Sequence, residues 1–591
     1  MKSKKPLPTQ TIIILVFTLA SLNNSYATPS KFNNTSTGYK VKQINKDSLS
    51  KQQIKNLVIL SKVWGFLKYY HPAVAGTKLN WDSVLVNMLP SYMQISDQQK
   101  RNAFLGNWIK NLGTVKECTS CNDSILTGAK IKPDLQWITN SNALGKELSA
   151  LLTHIRANRH QGEQHYVKLE GEKPNEALSF INEEPYDTLI FPEYRYRLLS
   201  VFRFWNMVEY WFAYKHLIGE PWDNTLQEFI PRMMAASNEK EYVRTTREMI
   251  VRMRDSHAFI RMNRSSGGKY YYPPVKIMFV GNNAVVSHIV HPVLAQSSNL
   301  QLGDVVSSIN GKPMNQVIKE GLPYSAGSNY PRQLRNLAVS LLGGTDSVVE
   351  VEILRKDKKI TTKLLRFETD WFGWWRYDFP HQGDSTCFFP EKQIGYINIY
   401  GKFTDNTIDS FFKLLKDAKG IILDHRQYTR GNYPVMEILG RLLPNPVPVA
   451  RMYGPTLDYP GAFLLEDPIV PPLEANPNFQ KMKVVILVNE ESISSSEYAT
   501  MIMQTIPGAV VVGSQTAGAN GWSARHTFPG GIFSILGYSG ILYPDGREMQ
   551  RTGIALDVVV KPTIKGIREG RDELMEKAIE LIKNSGPSIP R

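Results

Sequence analysis

Hydrophobic and polar positions recur with different periods along this chain, and the changes of period divide it. From about residue 51 to Arg254 apolar residues fall three and four apart, which predicts amphipathic helices. Within that part, Trp64-Gly-Phe-Leu-Lys-Tyr69 and Asn80-Trp81-Asp82-Ser-Val-Leu85 through Pro90 recur, at one constant offset, as Trp205-Asn-Met-Val-Glu-Tyr210 and Pro221-Trp222-Asp223-Asn-Thr-Leu226 through Pro231. Two copies of a helical hairpin are predicted, each with an aromatic face and a Trp-Asp turn; tryptophans so placed read as core rather than as a ligand site. Gln164 to Asn182, between the copies, reads as irregular or β structure. A helix over Tyr242–Arg254 runs into Asp255-Ser256-His257-Ala258, and Gly267-Gly268 ends the helical period.

From Tyr270 to Arg366 the period becomes that of strands: VKIMFV, NAVVSHIV, DVVSSIN, SVVEVEIL and KITTKLLRF. A tight turn precedes the third, and Asn310-Gly311 predicts a two-residue hairpin turn after it. From Ile394 onward buried strands alternate with helices: Ile394–Ile399, Asp405–Ala418, Gly420–Asp424, Val435–Leu443, Val484–Val488, Glu497–Thr505 and Ala509–Gly513. That alternation predicts an α/β sheet, and it puts the loops that hold Gly431 and Ser494 beyond strand C-terminal ends, where such sheets keep their sites. Strands around Ile532–Leu542 and Leu556–Val560 and a helix over Asp572–Ile582 close the chain. The fold class is therefore multidomain α+β.

At 591 residues the chain exceeds one core, and its 42% hydrophobic and 21% charged content is that of a folded protein. The formal charge of +15 is scattered among acids without a basic block or nucleic-acid motif, which excludes a nucleic-acid binder and leaves a basic surface suited to an anionic envelope. A basic start, an apolar run from Thr11 to Leu22 and the small-residue site at Ala27 predict a secretory signal peptide over 1–27. The run is short for a membrane span and no cysteine lies near the cut. An exported, periplasmic or extracellular protein is expected, with a polar leader over 28–50. In that setting Cys118 and Cys121 predict a local disulfide, with Cys387 buried and free. A zinc site adding His160 and His165 would need a longer gap than zinc modules have.

Two sets of motifs resemble known families. Leu302-Gly-Asp-Val-Val-Ser-Ser-Ile-Asn-Gly311 resembles the "GDxIxxING" stretch of PDZ domains of bacterial proteases, which hold extended peptides by strand addition. Asp-Ser-His-Ala before that segment, a strand ending LILDxRxxxxGN, a Ser-x-Ser-x-Ser-Glu turn followed by "GxxTxG", and a closing "DGxxxxxxGIxxD" together resemble the tail-specific, or C-terminal processing, serine proteases and their relative, the tricorn protease core. The resemblance spans Asp255 to the C-terminus and implies an α/β core of the ClpP/crotonase type. The implied division is 1–27 signal peptide, 28–50 leader, 51–189 first helical copy with the Cys pair, 190–266 second copy, 267–368 PDZ-like domain, 369–384 linker, 385–585 protease core and 586–591 tail.

The resemblance assigns roles by position. The nucleophile is Ser494, three residues before Glu497, and the oxyanion donors are the backbone N–H groups of Ser495 and Gly431. Ser/Lys members carry a lysine where Ala519 stands here, so a Ser/Lys dyad is not expected. The tricorn type uses a Ser-His pair, matched by Ser256-His257, with His257 as general base and Ser256 relaying an orienting hydrogen bond. The family glutamate falls on Gln550, or on Glu548 if the loop is shifted by two; Gln550 can orient but brings no charge. The implied function is an exported serine endopeptidase that cleaves unfolded or C-terminally exposed polypeptides, with no metal or organic cofactor. Gln550 and the QYTRGN loop favour a second reading, a non-catalytic peptide- or lipid-binding protein on the same scaffold. A scaffold built on the duplicated helices is a third.

Overall fold

A computed structural model describes residues 49–585 apart from 174–175, 264–268, 370–385, 405, 429–432 and 479. The signal peptide, nearly all of the leader, the linker, the C-terminal tail and Gly431 lie outside the described residues.

The helical part starts at a capping box. Ser50 Oγ accepts from the Gln53 N–H (3.2 Å) and Gln53 Oε1 accepts from the Ser50 N–H (2.9 Å), which opens the Lys51–Tyr70 helix; Pro72 stops it. Trp64 and Trp81, 17 residues apart, each donate the indole N–H to the other's carbonyl (3.2 and 2.9 Å). Trp205 and Trp222, also 17 apart, do the same (3.1 and 3.0 Å). The Lys51–Tyr70 and Tyr194–Trp211 helices cross at Gly65 and Asn206, which hold matching places in the two stretches. A Cβ on Gly65 would stand 1.8 Å from Asn206 Oδ1, so glycine is required there.

Ion pairs cross this junction with the same reciprocity. Lys62 of the first stretch meets Asp223 of the second (2.8 Å), and Arg203 of the second meets Asp82 of the first. The two pairs differ in burial: the Asp223 side chain is 44% exposed, whereas Arg203 is wholly buried and also meets Glu183, which in turn meets Lys68. Breaking a buried network strands a charge, while a half-exposed pair contributes little. Arg203→Leu is expected to cost about 3–5 kcal/mol in urea unfolding and Lys62→Leu under about 1.5 kcal/mol; equal losses would contradict this account of the junction.

The helical and α/β parts are not separate beads. Strand Ala129–Ile131 joins Phe463–Leu465, Arg451–Pro455 and Gly540–Leu542 in one four-stranded sheet, and Arg261–Met262 pairs with Ile532–Gly537. Tyr453, Phe463, Phe528 and Leu536 lie in the same buried cluster as Trp64 and Trp205. Val167–Glu170 and Ala177–Phe180 form a short hairpin between the two helical stretches.

The β segment is an antiparallel sheet ordered Lys358–Leu365, Val348–Arg355, Val305–Ile309, Asn283–Ile289, Val275–Val280, covered by the Tyr330–Leu341 helix and holding its own core. The predicted turn is present: Asn310 and Gly311 take φ of 47° and 72°, the left-handed pair that a two-residue hairpin needs, and Ile309 faces Lys312. The last sheet runs Cys387–Glu391, Ile394–Asn398, Gly420–Asp424, Lys483–Val488, Val510–Gly513, Val558–Val559, parallel after its first pair. Helices Thr407–Leu414, Val435–Leu442 and Ser495–Met503 pack on one face and Glu573–Asn584 on the other. The expected single stretch Ile532–Leu542 is two strands, broken at Tyr538-Ser539. Cys118 and Cys121 form a disulfide, and Cys387 is free and half-buried rather than buried. His160 and His165 bond instead to the Glu163 carbonyl (2.7 Å) and to Asn182 (2.7 Å, through the His165 carbonyl), and no metal-holding group of three ligands occurs among the described residues. No helix among the described residues is long and apolar enough to cross a membrane.

Three buried imidazoles make the fold sensitive to acid. Burial pushes His71 down to about 4 and His425 and His526 down to about 3. Each folded value lies below the unfolded value of about 6.5, so stability is intact above that pH and is lost as the pH falls towards the folded value. At pH 5 the loss is about 2 kcal/mol per histidine. Glu497, raised by burial to about 7, works in the opposite sense, as do Glu209, Glu466 and Glu490, which burial also raises; the lowered carboxyls of Asp255, Asp424 and Glu491 and the lowered His165 add to the loss in acid. Urea midpoints should therefore fall between pH 7 and pH 5; a flat or rising midpoint would contradict the prediction.

Candidate active site

The strand Lys483–Val488 ends in the turn Asn489 to Ser494, from which the Ser495–Met503 helix starts. Three serines alternate from this turn into the helix, Ser492, Ser494 and Ser496, and their surroundings separate them. Ser492 Oγ donates to the His425 carbonyl (2.7 Å) and Ser496 Oγ donates to the Gln427 carbonyl, so both pin the turn to the loop after the Gly420–Asp424 strand. Both are wholly buried. Ser494, between them, takes φ 56° and ψ −115°. A non-glycine residue in that region costs about 1–3 kcal/mol, a cost tolerated where the surroundings fix the backbone. Here its N–H donates to the Ala519 carbonyl (2.9 Å) and to Glu497 Oε2 (3.2 Å).

Glu497 fixes the geometry. Its wholly buried carboxylate accepts from the Ser494, Gly518 (2.8 Å) and Ala519 (3.0 Å) N–H groups and from the Thr516 hydroxyl. Burial pushes the carboxyl up to about 7, against the pull of these four donors. The loop it grips, Thr516 to Gly521, also meets Ser256 and Gln550. Gly518 takes φ 63°, and a Cβ there would lie 2.8 Å from the Arg551 backbone, so the loop must carry glycine at that point.

His257 reaches this loop through its neighbour. Ser256 Oγ donates to the Ala517 carbonyl (2.8 Å) and bonds to Ser328 Oγ (3.0 Å), and both Ser256 and Ser328 are buried. The expected relay from Ser256 to His257 is therefore corrected: the hydroxyl is already committed to the loop carbonyl. The imidazole is oriented by Asp255, whose Oδ1 accepts from His257 Nδ1 (3.1 Å) and from the His257 backbone N–H (3.0 Å). Burial alone would raise the Asp255 carboxyl, but the adjacent His257 and the hydrogen bonds it donates hold it below the usual carboxylate range. With Nδ1–H turned to Asp255, Nε2 is left as an acceptor. It is buried and without a partner among the described residues.

Gln550 also differs from expectation. Its Oε1 accepts from the Asn520 N–H (3.1 Å) and its Nε2 is buried without a partner among the described residues, so it supports the loop and makes no bond to His257. The shifted candidate Glu548 is held by His216 (2.9 Å) and Lys130 (3.5 Å) away from the imidazole. Gly431 lies outside the described residues. Ser495 stands at the first position of the helix. Sequence reasoning missed Asp255 as the orienting acid, although an aspartate two residues before a histidine is a recognisable way to hold Nδ1. It also missed Glu497 as the group that joins turn and loop.

The motif Leu423-Asp424-His425-Arg426 anchors the sheet. Arg426 bridges Asp424 (2.7 Å) and Asp572 (2.8 Å), the latter capping the closing helix, while His425 bonds to Thr500 (2.8 Å) and Tyr433 (2.9 Å).

Residues 393–560, the α/β sheet that carries Ser494, match the sequence pattern of Peptidase family S41. The chain carries a peptidase family S41 domain over these residues. The chain that holds this domain is a serine-type peptidase. Among solved structures it is similar to mature CPAF complexed with lactacystin, at 13% identity over 66% of this chain and 99% of that one with a TM-score of 0.53, and to mature CPAF at 14% identity, 67%, 99% and 0.52. Those similarities show a shared fold. The photosystem II D1 C-terminal processing protease aligns at 17% identity over 63% of this chain and 96% of that one, with a TM-score of 0.37. No curated protein matches the chain.

Proposed function

We propose that this S41 peptidase is an exported serine endopeptidase in which Ser494 is the nucleophile, His257 the general base and Asp255 the group that orients and charges the imidazole. The observation that carries the reading is the backbone of Ser494: a strained serine at a helix N-terminus, set between two serines spent on structure. The Ser494 hydroxyl proton passes to His257 Nε2 as Oγ attacks the scissile carbonyl, and the same nitrogen then protonates the departing amine. Water, deprotonated by His257, releases the acyl group. The Ser495 and Gly431 N–H groups stabilise the oxyanion, aided by the helix N-terminus. Hydrogen bonds between catalytic groups are commonly long before substrate arrives, which is consistent with His257 and Ser494 sharing a loop without touching.

The substrate is an unfolded or C-terminally exposed polypeptide, captured by the PDZ-like segment through strand addition. Reciprocal tryptophan bonds and crossed ion pairs support the reading of the helical part as a duplicated hairpin packed on its own copy. The binding-protein reading rests on Gln550, which lacks a charge; Asp255 supplies that charge from another position and weighs against it. The test is incubation of the protein from Thr28 onward with an unstructured polypeptide, followed by mass spectrometry. Cleavage that disappears in Ser494→Ala supports the peptidase, and absence of cleavage across several substrates supports the binding protein.

A further inference from the structure

Two arginines flank the residues just described. Arg254 precedes Asp255 and Arg551 follows Gln550, and both hold φ in the left-handed region, 53° and 68°. Neither has the glycine or asparagine chemistry that makes such a backbone easy, so the surroundings impose the conformation on both. Their side chains converge. A Cβ placed on Gly219 would lie 3.2 Å from Arg254 Nη1 and 3.3 Å from Arg551 Nη1, so the two nitrogens are no farther apart than the sum of those distances.

Among the described residues neither guanidinium is in an ion pair. Arg551 is held in place by the carbonyls of Leu217 and Ser328 (3.3 Å to the latter). Its backbone packs on the nucleophile's loop, with its N–H donating to the Gly518 carbonyl (2.8 Å) and its carbonyl accepting from Asn329 (3.1 Å). Arg254 is half-buried and Gly219 beside it is exposed, so the pair opens to solvent. Burial and the Arg254 charge both lower Arg551. Two cations this close, one anchored by neutral carbonyls and the other making no side-chain hydrogen bond among the described residues, repel each other until an anion arrives. Guanidinium groups suit a carboxylate, which accepts two parallel N–H bonds.

We propose that Arg254 and Arg551 form a subsite for a carboxylate of the polypeptide substrate, carried by an acidic side chain or by the chain's C-terminus. The inference rests on the peptidase reading for the nature of its ligand. Its test does not rest on cleavage. Binding is measured by fluorescence anisotropy on the full exported chain carrying Ser494→Ala, with one labelled neutral peptide in four forms: one glutamate with a free C-terminus, glutamine in its place, a C-terminal amide, and both changes together.

The form lacking the recognised carboxylate should bind about tenfold more weakly, and which form that is names the source. Raising salt should shrink the difference. Adding Arg254→Gln should erase most of it, and Arg254→Lys should restore part. Arg254 makes no side-chain hydrogen bond among the described residues, so its replacement decides the matter if Arg551→Gln fails to fold. Equal binding of all four forms, absence of binding by any, or a preference that survives Arg254→Gln overturns the proposal. Failure of the peptidase reading shows separately, as no cleavage by the unsubstituted protein.

Discussion

Replacing His257 by alanine is expected to lower kcat by about four orders of magnitude or more, because the Ser494 hydroxyl then has no base to take its proton. Asp255→Asn should cost about two to four orders. The asparagine keeps an oxygen near Nδ1, but it brings no charge to the imidazolium that forms when Ser494 attacks. Gln550→Glu should change kcat less than about tenfold in either direction, because the Gln550 oxygen is engaged with the Asn520 N–H and the imidazole is already held from Asp255. These three substitutions, compared under one set of steady-state conditions, rank the orienting groups. A large gain in Gln550→Glu with little loss in Asp255→Asn would return the orienting role to the later loop.

Replacing Glu497 carries the second large effect. Alanine at this position leaves the N–H groups of Ser494, Gly518 and Ala519 and the Thr516 hydroxyl without their buried acceptor. Each unsatisfied buried donor costs about 1–3 kcal/mol, so a loss of about 4 kcal/mol or more is expected in urea unfolding, with activity abolished because the Ser494 backbone is released. Glu497→Gln keeps the volume but turns an N–H group towards donors, and it should cost about half as much while still removing most activity. The carboxyl is raised to about 7 by burial, so protonation reaches it near neutral pH and converts one of its acceptors to a donor. Activity of the unsubstituted protein should therefore fall as the pH drops through about 7. A Glu497→Ala protein that unfolds at the parental midpoint and keeps its activity would contradict the role given to this carboxylate.

Some of this was written plainly in the sequence. The Asn310-Gly311 turn is local chemistry, since two adjacent residues able to take positive φ suffice. The tryptophan repeat was legible because spacing survives folding, and the reciprocal bonds of Trp64 with Trp81 and of Trp205 with Trp222 follow it. Ser494 could be picked by its distance from Glu497. What could not be read was which neighbour a side chain chooses. Ser256 and Asp255 both precede His257, and only the approach of Ala517 and Ser328, distant in sequence, takes Ser256 away from the imidazole. The sharing of one core between the helical part and strands near Tyr453 and Leu536 was equally hidden, because each segment looks complete by its own period. The left-handed backbones of Arg254 and Arg551 carry no compositional mark at all.

The central claim is that Ser494 is the nucleophile activated by His257. Reaction of the chain from Thr28 onward with a fluorophosphonate, followed by peptide mapping, tests it most directly. The account predicts a single covalent adduct on Ser494 that is lost in Ser494→Ala and strongly slowed in His257→Ala. An adduct on Ser492, Ser496 or any other residue, or one that forms at the same rate without His257, would contradict it.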